Sequence, residues 1–181
     1  MTTTQGHDRS ASGYRFRYLV FGGVAAGTLD LIYICSLWAA MGVGPLRILH
    51  SIAAGWMGRE AAIAGGAATA LLGFASHYAI AIAMACTYGL ASRRWPWLLR
   101  NPLRYGALYG VVLYLAMNFV VVPLSAAGSG LPRWEWMQVS HLLAHMLLVG
   151  IPCAFAARFA TRSGPAPVTA TPIAAFGKSD A

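Results

Sequence analysis

In the stretch Ser140–Pro152, SHLLAHMLLVGIP, two histidines stand four residues apart in otherwise lipid-compatible sequence. Four residues is about one helical turn, so His141 and His145 project from the same face. Such a pair can serve as a two-point metal ligand, a haem ligand, a proton-exchange step or interhelical packing. Three more polar residues interrupt apolar sequence elsewhere: Asp30, His77 and Asn118. An ionisable group at the centre of a membrane helix costs about 2.5–3.5 kcal/mol on the insertion scale, so these five positions are where chemistry would have to reside. No catalytic pattern accompanies them. There is no G-x-S-x-G, Walker loop or H-E-x-x-H, and Glu60 and Glu135 lie in connections beside Arg59 and Arg133, where they read as solvated pairs. The expectation is a protein that is not an enzyme.

The elements that must hold these residues follow from composition. Apolar residues make up 58% of the chain and charged residues 10%, against roughly 45–50% and about 25% in soluble domains. They are gathered into four runs, 18–41, 67–90, 105–124 and 137–159, each near the ~20 residues needed to cross a ~30 Å hydrocarbon layer as helix. The first run is too long for the h-region of a signal peptide and carries Asp30 at its middle, so it reads as an anchor. Cys35, Cys86 and Cys153 fall in separate runs without a C-x-x-C pair, so neither a disulfide framework nor a zinc ribbon is indicated and they read as small buried hydrophobes.

A net charge of +8 would suggest nucleic acid in a soluble protein, but here the cations are sorted by side. Arg9, Arg15 and Arg17 precede the first run, Arg93, Arg94, Arg100 and Arg104 fill the second connection, and Arg158, Arg162 and Lys178 follow the fourth: ten of thirteen. Arg47, Arg59 and Arg133 are the exceptions. The positive-inside rule then places both termini in the cytoplasm, with the bilayer rather than nucleic acid as partner. Trp38, Trp95, Trp97, Tyr105 and Trp136 sit at or just beyond the ends of the runs, where amphipathic rings favour the interface.

The predicted fold is therefore all-α, an integral-membrane four-helix bundle in one domain over 14–162, flanked by disordered tails at 1–13 and 163–181. Between the first two runs, Leu46, Leu49, Ile52, Ala53 and Trp56 recur at helical spacing, predicting a short interfacial helix over 45–58 that acts as a linker or as a lid over a site. The hairpins echo each other weakly: Gly23-x-x-x-Gly27 and Gly106-x-x-x-Gly110 open the first and third helices, and Ser76-His77 and Ser140-His141 mark the second and fourth.

Counting from the middle of each run puts Asp30 at the centre and His77, Asn118 and His145 at or slightly outward of it, with His141 one turn further out. Gly23 and Gly27 share a side with Asp30, Gly73 with His77, and Gly106, Gly110 and Tyr114 with Asn118, so the polar residues are expected to face the interior. Pro152 should bend the fourth helix. Four readings stay open for the cluster: interhelical hydrogen bonds that serve assembly, a proton or small-solute path, a divalent metal held by His77, His141, His145 and Asp30, and haem b between His77 and His145. A bundle of four helices is expected to need a second copy or a membrane partner to enclose a pathway.

The segments GGVAAG, SHYAIAIAMACTYGLA, YGALYGVVLYLAMNFVVVPLSAAG and SHLLAHMLLVGIP give the layout a resemblance to a group of bacterial inner-membrane proteins, the YagU-like group. The resemblance implies a four-helix inner-membrane protein, supplies no active-site set, and has no counterpart for Asp30.

Overall fold

The computed structural model describes residues 7–128 and 136–162. The expected tails at 1–6 and 163–181, and Arg133, Trp134 and Glu135, lie outside them. All regular structure among the described residues is helical. Four helices are long and apolar enough to cross a membrane: α1, His7–Ala39, apolar from Phe16; α4, Gly66–Arg94; α5, Pro102–Leu124; and α6, Trp136–Thr161. Two short helices, α2 (Pro45–Met57) and α3 (Arg59–Ala64), fill the first connection.

The helix ends follow local chemistry. Arg93 and Arg94 close α4, where cations suit the negative end of the helix dipole, four residues beyond the expected boundary. Asn101 caps α5 by accepting the Arg104 amide at 3.1 Å, with Pro102 at the first helical position. α1 corrects one expectation: it runs back to His7, so residues 7–13 of the presumed tail are helical. Extending an anchored helix adds one hydrogen bond per residue fixed, and no proline stops it there.

The two hairpins pack by the same device. A Cβ on Gly23 would lie 2.5 Å from the Ile82 Cα, and one on Gly27 would press on Ala81 and Tyr78, so α1 and α4 meet backbone to backbone. Gly106 meets Ile151 at 2.8 Å in the same sense, and Gly110 abuts His145 and Met146, which joins α5 to α6. Near the basic connections the last segment of α6, Ile151–Arg162, touches α1, α4 and α5 at once. There Ala85, Tyr88, Leu113, Cys153, Ala154 and Ala157 form a closed apolar core. Its hydroxyls are spent on backbone: Tyr109 donates to the Met84 carbonyl at 2.8 Å and Tyr88 to the Leu98 carbonyl at 3.1 Å.

At the far end, away from those connections, the packing differs. α6 keeps to α5 and α1, and α2 takes the remaining flank of α4. Gly73 lets the Leu49 carbonyl rest on α4, where any Cβ would collide. The His50 ring donates Nε2–H to the Gly66 carbonyl at 2.8 Å, and Trp56 donates Nε1–H to Ser76 Oγ at 2.9 Å. The Ala126 amide donates to the Gly55 carbonyl at 3.0 Å, tying α2 to the end of α5. Gly58, with φ of 83°, makes the reversal into α3, a conformation a side chain would disfavour. α2 is thus a docked element with Ile48, His50, Ala53 and Ala54 buried.

Neither α5 nor α6 is a uniform α-helix. Residues Met117–Val121 and His145–Gly150 are π-helical, with the Val122 amide bonded to Met117 and the Ile151 amide to Met146, five residues back. Each π turn ends two residues before a proline, Pro123 or Pro152. Proline donates no N–H and its ring crowds the preceding turn, so a widened turn relieves both faults.

Candidate functional site

Three of the five expected residues converge. Asp30 of α1, His77 of α4 and His145 of α6 line one cavity of ≈ 110 Å³, with Gly27, Ile52, Met84, Met117 and Val149 among the walls. At ~30 Å³ per water this is room for about three or four molecules.

Each side chain is placed by backbone geometry. Asp30 follows Gly27 by three residues and so stays close to the face that meets α4. The glycine contact lets His77 Nε2 reach the Gly27 carbonyl at 2.8 Å. A carbonyl only accepts, so Nε2 carries the proton and Nδ1 of the neutral ring is a free acceptor. His145 is the reverse: Nδ1–H donates to the His141 carbonyl at 2.9 Å, and Nε2 is left as the acceptor. Tyr114 stands edge-on to His145 with ring centroids 5.7 Å apart, and its hydroxyl donates to Gln138 Oε1 at 2.8 Å.

His141 lies one turn beyond His145 on the same helix. Its ring meets Tyr33 edge-on at 6.0 Å, while the Tyr33 and Ser140 hydroxyls share a 2.6 Å hydrogen bond. His141 Nε2 is buried without a hydrogen-bond partner. Buried polar atoms are nearly always paired, so this nitrogen is an unfinished bond in the cluster.

Asn118 does not join them. Its Nδ2 donates to the Tyr114 carbonyl at 2.9 Å, on its own helix, and Met117 takes the cavity-facing position of α5. The reason is angular. Rows at i, i+4 wind by about 40° per step at about 100° per residue, which leaves position 118 some 80° round from Gly110 before the π turn adds its own rotation.

Among the described residues no group of three or more His, Cys, Asp or Glu is arranged to hold a metal ion, so the candidate set His77, His141, His145 and Asp30 is not a ligand cage. The cavity of ≈ 110 Å³ is also smaller than the ~150 Å³ that holds benzene, and a macrocycle would have to part the helices. No family model, curated protein or solved structure matches the chain. Its atoms alone therefore carry the functional reading. Sequence reasoning missed Ile52, which α2 brings over the cavity, and Met117; the small residues of α2 and Pro123 were their only signals.

Proposed function

We propose that the chain is a non-enzymatic protein of the bacterial inner membrane, both termini cytoplasmic, that takes up and releases protons in the Asp30–His77–His145 cavity, alone or with a small cation. The observation that carries this is that three ionisable side chains from three separate helices line one water-sized space inside apolar helices. Asp30 supplies the carboxylate, His77 Nδ1 and His145 Nε2 supply acceptors, and His141 with its unpaired Nε2 is the step toward the far end. Val149 belongs both to the cavity wall and to the apolar core toward the basic end, so passage that way would require α6 to move at the His145–Pro152 turn. The ten basic residues on one side support the orientation, and the YagU-like resemblance fits a small inner-membrane protein.

The test is pH-gradient decay in proteoliposomes read by an enclosed dye. Asp30→Asn is expected to slow it at least about tenfold, a barrier change of roughly 1.4 kcal/mol; an unchanged rate rejects the proposal.

A second reading has its own support, because the His77–Gly27 bond is interhelical and worth roughly 0.6–2 kcal/mol to assembly. Under it, His77→Phe lowers stability by that amount and flux is absent in the parent chain.

A further inference from the structure

Two of the three basic residues on the sparsely charged side meet in one place. Arg47 on α2 and Arg59 on α3 line a recess of ≈ 70 Å³ together with His50, Ser51 and Ile63. That volume is on the order of two waters, the scale of a single phosphate group. Ser51 and Arg59 also belong to a second, larger cavity of ≈ 490 Å³ that runs between α2, α4 and the π turn of α5. Its remaining wall is largely hydrocarbon, with Ile52, Ile80, Met117, Val121 and Val122. The volume lies within the roughly 300–1,000 Å³ of small-molecule sites.

A cationic recess that continues into an apolar slot is complementary to an anionic head on a hydrocarbon chain. We propose that this joined pair of cavities binds an anionic phospholipid, its phosphate between Arg47 and Arg59 and an acyl chain along Ile80, Val121 and Val122. Charge decides the head: two guanidiniums face the recess, and among the described residues no carboxylate lines it or pairs with Arg59. Placement decides the source. The recess sits at the end of helices long enough to span a bilayer, where headgroup phosphates lie, and the slot descends from it beside apolar helix. The site also explains why arginines stand on the side that the sequence otherwise keeps nearly free of them. Because Ile52, Ile80 and Met117 wall both this slot and the polar cavity, a seated chain would hold α2 against α4.

The experiment uses the full chain, delipidated in a nonionic detergent, and counts retained lipid by native mass spectrometry. The expected result is one phosphatidylglycerol per chain, bound at least about tenfold more tightly than phosphatidylcholine of the same chains, with millimolar inorganic phosphate failing to displace it. Arg47→Gln with Arg59→Gln should weaken phosphatidylglycerol about 30-fold, at about 1 kcal/mol per arginine near a lipid surface. Arg100→Gln with Arg104→Gln, at the basic end, should leave it unchanged. Val121→Trp, which fills the slot without touching the arginines, should weaken both lipids alike, and helical circular dichroism confirms that each variant is folded. Equal affinity for the two lipids, or full affinity in the double arginine variant, overturns the proposal. Displacement by phosphate alone would show an anion recess without a lipid. Asp30→Asn should bind phosphatidylglycerol normally, so this result and the flux result stand or fall separately.

Discussion

Toward the basic end, the four long helices close around alanines, Tyr88, Leu113 and one buried cysteine, and the Tyr88 and Tyr109 hydroxyls are bonded to carbonyls. Toward the far end, α5 and α6 each carry a π turn, an added short helix fills the flank of α4, and Asp30, His77 and His145 line the cavity there. The residue types differ less than the spacing does. Glycine rows bring backbones together in both halves, and the cavity forms where α2, rather than α6, takes the far flank of α4. The dry end and the polar end thus differ in which elements meet rather than in many added polar residues.

The strongest way to break this contrast is to wedge the α5–α6 seam. Gly110→Val forces a branched side chain into the His145 and Met146 backbone and should cost about 3 kcal/mol or more, read as loss of thermal stability in detergent. Gly44→Ala, with open space around it, should change nothing measurable by the same assay. A seam that tolerates valine would mean the halves are not separately packed.

A second test compares access. In a chain with Cys35 and Cys86 replaced by alanine, the fully buried Cys153 should react with a small thiol reagent about tenfold or more slowly than a cysteine placed at Met117. Equal rates would erase the difference between the halves. The smallest expected effect is Tyr109→Phe, which removes the bond to the Met84 carbonyl and should lower stability by about 1 kcal/mol without altering flux.

Much of this was legible from residues alone, and the reasons for the failures are physical. Hydropathy located all four long helices to within a few residues because lipid imposes a length. Asp30, His77 and His145 could be grouped because depth and face can both be counted along a regular helix close to a glycine landmark. Asn118 failed on the same count because eight residues and a π turn separate it from Gly110, and the angular error accumulates. The docking of α2 could not be read, since it depends on Gly73 accepting the Leu49 carbonyl, a contact between segments with no shared periodicity. Arg47 and Arg59 were visible only as exceptions to a rule, and their meeting is a product of the Gly58 reversal.

The π turns carry one further consequence, expressed in codons rather than contacts. A turn bonded five residues back is an α-helical turn with one residue to spare. Deleting a single codon between His145 and Gly150 would therefore let α6 close into ordinary α-helix with the rows on either side still facing their neighbours. The same deletion between Ala81 and Ala85 of α4 would rotate everything beyond it by about 100° and expose the core. Length variation in α6 is therefore best accommodated beside Pro152, where the spare residue lies.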